Sequence, residues 1–254
     1  MIRLGAQLYT IRDFTRTPED ITKSLHKIKD LGFDDIQISG FGPMDPHALA
    51  DLVNELGLYV CCTHSPFDRM QNDLDQLIYE HKLMHCDTIG LGMMPPQYRR
   101  SLAGLRQFIA DTRDIAAKMK DQGMQFAYHN HNLEFEKWDG ALPMDVLIEE
   151  TDPENFHFIL DTYWIQMGGA SPAQYIRKVT DRMKVCHFKD FAVIEQKPVI
   201  AEIGAGNIDF CECFRACEDA HVQDIVIEQD TCSRDPFDCL AFSFENLKAI
   251  AANH

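Results

Sequence analysis

Eight short apolar runs recur along the chain, near residues 2–8, 34–38, 58–63, 87–91, 124–129, 156–160, 183–188 and 224–228. All are brief, and those near 124, 156, 183 and 224 are continuous enough in apolar residues to suit strands buried on both faces of a parallel sheet. Between them lie stretches with helix-terminal signals. Thr17-Pro18-Glu19-Asp20 opens 18–31 with Gly32 beyond, Pro46 to Leu56 closes at Gly57, Gln71 to Met84 follows, and Ser101 to Asp121 stops before Gly123. Pro143 to Glu150, Pro172 to Val179, Asp209 to Ala220 and Pro236 to Ala252 continue the series. Strict β-α alternation implies a parallel sheet. Eight repeats, with neither G-x-G-x-x-G nor G-x-x-x-x-G-K-[ST] after any strand, predict a closed (β/α)8 TIM barrel spanning 1–254 as a single domain.

Composition narrows the function classes. The 254 residues, 45% hydrophobic, are enough for one large core of this kind. The formal charge is -16, from 40 acidic against 24 basic side chains, with no Lys/Arg block. Such a surface repels phosphate backbones and anionic membranes, so neither nucleic acid nor membrane is the expected partner. The N-terminus lacks the basic and apolar regions of a signal peptide and no run approaches 18 apolar residues, which predicts a soluble cytoplasmic protein. Nine irregularly spaced cysteines fit free, mostly buried thiols in a reducing compartment. Cys211, Cys213 and Cys217 fall in a predicted helix without a suitably spaced fourth thiolate, and are read as packing residues, not iron–sulfur ligands.

Polar side chains gather where the runs end, which is where active sites of β/α barrels form. Gln7 and Tyr9 end the first, Gln37 the second and His64 the third; His129, Asn130 and His131 end the fifth, Asp161 the sixth, His187, Lys189 and Asp190 the seventh, and Glu228, Gln229 and Asp230 the eighth. A divalent ion with positions open for substrate oxygens needs three or four imidazole or carboxylate ligands on rigid supports, and Asp161, His187 and Glu228 meet that need. Singly, each reads as a cap or a hydrogen-bonded core residue; together, at successive strand ends, they predict one metal centre. Spacing does not separate Mn, Co, Zn, Fe and Mg, although mixed nitrogen and oxygen ligation leans away from Ca and Mg.

A metal bridging a ketone oxygen and a neighbouring hydroxyl would acidify the hydrogen between them, and a positioned base then decides among epimerisation, isomerisation and elimination. Glu228 is the leading carboxylate base. His64, His129 and Lys189 are candidates for the second acid/base, with His131 beside them, since a desolvated Lys near a metal can titrate toward neutrality. His64 also reads as a strand cap, and Lys189 equally with Asp190 as a salt bridge closing the barrel mouth. Gln7, Tyr9, Gln37, Asn130 and Trp164 are the expected substrate-binding residues. Tyr9, Trp164 and Phe67 suit an apolar wall for a substrate ring, and Met93-Met94-Pro95-Pro96 a loop over the site.

Several segments are specific enough to carry a resemblance: Ala6-Gln7-Leu8-Tyr9-Thr10-Ile11-Arg12-Asp13, Tyr128-His129-Asn130-His131 followed by Leu133-Glu134-Phe135, Leu160-Asp161-Thr162, His187-Phe188-Lys189-Asp190, and Ile227-Glu228-Gln229-Asp230. Over essentially its whole length the chain resembles the sugar phosphate isomerase/epimerase family of the xylose isomerase-like superfamily, which includes endonuclease IV, inosose dehydratases and ketose 3-epimerases. The resemblance implies a TIM barrel holding one divalent metal, often manganese, through Glu, Asp, His and Glu. Asp161, His187 and Glu228 match the second, third and fourth ligands. His129 stands where related sequences carry the first glutamate; it can ligate through nitrogen, or Glu134 can reach in from the following loop. The implied activity is isomerisation or epimerisation of a sugar or keto-sugar through an enediolate. Alternatives are a lyase such as a keto-inositol dehydratase or 3-keto-glycoside cleaving enzyme, a non-catalytic sugar-binding subunit, and an endonuclease IV-like nuclease, which the acidic balance disfavours. The absence of an Arg cluster at the strand ends points to a non-phosphorylated substrate. Barrels of this family often pair, so a homodimer is an option that no surface patch demands.

Overall fold

The computed structural model describes residues 1–253. Ten strands form: β1 (Arg3–Gln7), β2 (Asp35–Ile38), β3 (Tyr59–His64), β4 (Thr88–Leu91), β5 (Gln125–His129), β6 (Phe156–Asp161), β7 (Val185–Phe188), β8 (Asp190–Ile194), β9 (Lys197–Ala201) and β10 (Asp224–Ile227). Eight close a parallel barrel in the order β1-β2-β3-β4-β5-β6-β7-β10. Helices α1 (Pro18–Asp30), α2 (Pro46–Glu55), α3 (Phe67–Asn72), α4 (Leu74–Leu83), α5 (Leu102–Asp121), α6 (Pro143–Glu150), α7 (Thr162–Met167), α8 (Pro172–Lys178), α9 (Phe210–Asp219) and α10 (Pro236–Ala251) complete it. The chain is thus the predicted single-domain TIM barrel, and each of the eight apolar runs became a barrel strand.

Two hydrophobic layers hold it. Helix faces and outward strand positions make the larger core, in which Phe33 stacks on Phe244 at 4.1 Å between ring centres. Inside the barrel a second cluster contains Cys62, Ala127, Ile159, Val185 and Val226, all nearly or wholly buried. Strand side chains alternate faces with a period of two, so the next inward residues along the same strands are His64, His129, Asp161, His187 and Glu228. The apolar plug therefore sits one layer below a polar layer.

Three local features depart from the sequence pattern. The expected helix 71–84 is two helices, α3 and α4, broken at Asp73 with φ -143° and ψ 33°. Asp161 starts the short helix α7 by accepting from Trp164 N at 3.1 Å. After β7 the chain leaves the barrel in an antiparallel hairpin, β8 with β9, turning at Glu195 and Gln196 with φ of 49° and 64°. Such turns are ordinarily signalled by Asn-Gly or Asp-Gly. The nine thiols are free; Cys213 and Cys217 pack α9 into the core while Cys211 is exposed. Among the described residues, no helix is long and apolar enough to cross a membrane.

At the opposite end of the barrel from the polar layer, Arg3 donates to Asp224 at 2.5 Å. Neighbouring Asp35, 2% exposed, has no hydrogen-bond partner on either carboxylate oxygen. Burial, reinforced by the charge of Asp224, pushes the Asp35 pKa up to about 8.

Candidate metal centre

Four buried residues, His129, Asp161, His187 and Glu228, each turn one donor atom to a common point, all within 4.8 Å of one another. Their tautomers follow from their outer partners. His129 Nδ1 lies 3.1 Å from the Gly92 carbonyl, which only accepts, so Nδ1 carries the hydrogen and Nε2 faces inward as a lone pair. Gly92 also leaves room for the neighbouring His64 ring: a Cβ there would sit 3.0 Å from His64 Nδ1. His187 Nε2 is 2.7 Å from Gln37 Oε1, again an acceptor, which turns Nδ1 inward to 3.0 Å from Glu228 Oε2. Asp161 Oδ1 caps α7, leaving Oδ2 3.5 Å from His129 Nε2 and 3.9 Å from His187 Nδ1. The His129 Nε2 and Asp161 Oδ2 atoms are buried without hydrogen-bond partners. Lone pairs converging in this way call for a cation. The residues fit a divalent ion with mixed nitrogen and oxygen ligation; Asp161, His187, Glu228 and His129 are the residues that would hold it.

A lysine lies against this group. Lys189 Nζ is 2.9 Å from Asp161 Oδ2, 2.8 Å from Glu228 Oε2 and 3.1 Å from Asp230 Oδ2, and 5.2 Å from the centre of the Trp164 ring. Only the Asp230 contact has directed hydrogen-bond geometry; the other two are ionic contacts. Burial pushes Lys189 down, but Asp161, Glu228 and Asp230 outweigh it and hold its pKa well above the ordinary lysine value. Against these three carboxylates Lys189 is an ammonium. For Glu228, burial raises the pKa, yet the Lys189 ammonium above all more than reverses this and keeps it ionised. Burial lifts Asp161 against the opposing pull of Lys189, and lifts Asp230 to about 6. Burial first, then the neighbouring imidazole of His129, holds His64 well below the usual range and brings His131 down to about 2. These imidazoles are neutral.

The donor set opens into a cavity of about 660 Å³ whose lining includes Tyr9, Arg12, Ser39, His64, Phe67, Met93, Pro95, His129, His131, Lys189, Glu228 and Asp230. Of the residues expected to bind substrate, Tyr9 lines it. Gln7, Gln37 and Asn130 are fully buried around it: Gln7 accepts from Tyr9 N at 3.0 Å, Gln37 holds His187, and Asn130 Oδ1 accepts from Asp161 N at 2.9 Å. Trp164 stands behind, with its ring 5.1 Å from that of His131.

Two expectations are corrected. Glu134 does not reach the centre, because its oxygens accept from Tyr128 Oη and, at 2.7 Å, from His131 N. Asp190 does not pair with Lys189; its carboxylate accepts from the backbone of Phe191, Gly204, Gly206 and Ile208, rooting the β8–β9 hairpin. The sequence reading gave no role to Arg12, which stacks 4.4 Å over Tyr9 and donates to Asp230 O at 2.9 Å, tying the first and last strand-end loops together. Its position three residues after Tyr9, in the short 3-10 segment Leu8–Phe14, was the available signal.

Among known proteins, inosose dehydratase from Lacticaseibacillus casei is 23% identical over 206 residues, covering 74% of this chain and 63% of that protein's own length. A sugar phosphate isomerase/epimerase from Parabacteroides distasonis has a similar structure, with TM-score 0.81, 22% identity and 98% of each chain covered. An L-ribulose 3-epimerase follows with TM-score 0.78 and 19% identity, covering 100% of this chain and 95% of that one. At these identities the structural likeness is one of fold. The family model for the xylose isomerase-like TIM barrel matches residues 25–236, and the chain belongs to that family.

Proposed function

We propose that this protein is a divalent-metal-dependent isomerase or epimerase of a small sugar or keto-sugar, moving a proton next to a carbonyl. One observation carries the reading: four buried donors within 4.8 Å of one another, with His129 Nε2 among them lacking any partner, at the floor of an open cavity. A bound ion, Mn ahead of Co, Zn, Fe or Mg, would polarise the carbonyl and adjacent hydroxyl oxygens of the substrate. Glu228, ionised and facing the cavity, takes the proton. The neutral His64, whose Nε2 is buried without a partner, accepts a hydrogen bond from a substrate hydroxyl or carries the proton onward. Lys189, held as an ammonium, acts as donor toward an oxygen gaining charge and not as a base. Tyr9, Phe67 and Met93 form the apolar wall for the sugar ring, and Trp164 backs Lys189 and His131. Gln37 and Asn130 position His187 and Asp161. Nine free thiols accord with a reducing compartment such as the cytoplasm.

A second reading, a lyase, has its own observation. His129 stands where a proton exchange between two glutamates needs the first of them, while the Lys189 ammonium is placed to protonate a leaving hydroxyl. That two of the curated relatives are inosose dehydratases supports it. Proton NMR of the metal-loaded protein in D2O with ketoses, 3-keto-glucosides and keto-inositols decides between them. Deuterium wash-in with a new stereoisomer supports the isomerase or epimerase, and loss of water or aglycone the lyase. No exchange with any substrate in protein shown to hold metal would refute both for that panel.

A further inference from the structure

The oxygens that hold the Lys189 ammonium are those the metal needs. Nζ contacts Asp161 Oδ2 at 2.9 Å and Glu228 Oε2 at 2.8 Å, and these same atoms face His129 Nε2 and His187 Nδ1. We propose, resting on the metal reading above, that Lys189 is a tethered cation occupying the ligand carboxylates until a divalent ion displaces it toward Asp230, and that it thereby sets the affinity threshold of the centre.

The ammonium has somewhere to go. Its one directed hydrogen bond is to Asp230 Oδ2 at 3.1 Å, and Asp230 is outside the four-donor group. Trp164 offers a ring face 5.2 Å away. Released from Asp161 and Glu228, Lys189 therefore keeps a carboxylate and an aromatic partner although it is only 1% exposed. The charges agree: three carboxylates and one ammonium leave two negative charges, which a divalent ion neutralises without expelling the lysine.

The ammonium also takes no lone pair from the histidines, so His129 Nε2 stays unpartnered beside it. An ion that binds imidazole nitrogen well gains there what displacement of the lysine costs. Mg and Ca, which prefer all-oxygen sites, gain little. The displacement cost falls equally on every ion, so its effect is a common offset that leaves weak binders below useful affinity.

The test compares full-length wild type with Lys189→Met, both stripped with chelator and titrated with zinc and with magnesium against a chromophoric competitor. The variant should bind both ions at least tenfold more tightly, by similar factors, and its metal-free form should melt lower because two buried carboxylates lose their counter-charge. Unchanged or weaker zinc affinity would overturn the inference. A crystal structure of zinc-loaded wild type provides a second reading that needs no variant to fold. Nζ should have left Asp161 Oδ2 and remained on Asp230; an ammonium still within hydrogen-bond distance of Asp161 beside bound zinc overturns this inference alone. Zinc binding by neither protein overturns the metal reading and this inference together.

Discussion

Replacing Asp35 by Asn at the base of the barrel should make the protein more stable at neutral pH, although it removes a carboxyl that lies near Arg3. The carboxyl is 2% exposed, unpartnered, and raised from 3.8 to about 8. Because the folded-state pKa is the higher one, the unfolded chain releases this proton first. The folded state then binds more protons, so stability falls as pH rises from about 4 and levels off only near 8. Each pH unit in that window costs about 1.4 kcal/mol for one proton, giving a ceiling of about 4 kcal/mol at pH 7. Sharing of the charge with Asp224 reduces this, and about half is expected. Asn keeps the shape and cannot ionise. Urea unfolding of both proteins from pH 4.5 to 8.5 measures the effect: the advantage of Asp35→Asn should be small at pH 4.5 and grow by about 0.7 kcal/mol per unit up to pH 7.5. Parallel pH profiles for the two proteins, or a variant less stable at pH 7.5, would refute the reasoning.

Asp161→Asn, His187→Ala and Glu228→Gln should each lose bound metal and activity while keeping the circular dichroism of the barrel, checked by elemental analysis; metal retained by all three would sink the site. Gln37→Leu removes the acceptor that turns His187 Nδ1 inward, and should weaken zinc binding about 10- to 100-fold in a competition titration. Tyr128→Phe deprives buried Glu134 of a donor and should cost about 1–3 kcal/mol in urea unfolding without changing metal content.

The architecture was legible because a parallel barrel writes itself as repeated apolar runs, and Asp161, His187 and Glu228 because each stands at the end of such a run. His129 was placed by its position at the end of the fifth run, and its inward nitrogen became evident only through Gly92, 37 residues away. The supporting amides were the harder part. A sequence shows that Gln37 and Asn130 end strands, but not that one turns to His187 and the other to the backbone of Asp161. The β8–β9 hairpin escaped notice because Glu195 and Gln196 adopt left-handed conformations usually announced by Asn or Gly. Lys189 and adjacent Asp190 invite pairing, yet Lys189, between β7 and β8, turns to Asp161, Glu228 and Asp230 while Asp190 turns to the hairpin backbone.

The alternation of the inner plug with the donor layer makes the centre a matter of parity. Cys62, Ala127, Ile159, Val185 and Val226 mark one phase of five strands, and His64, His129, Asp161, His187 and Glu228 stand two steps further in the same phase. Loops and helices can lengthen without altering that count, whereas one residue inserted within β6 between Ile159 and Asp161 would turn Asp161 from the lumen toward the helices. The centre is thus protected against drift at its periphery and exposed to failure at a few internal positions, where an odd step scrambles it and an even step only raises or lowers it.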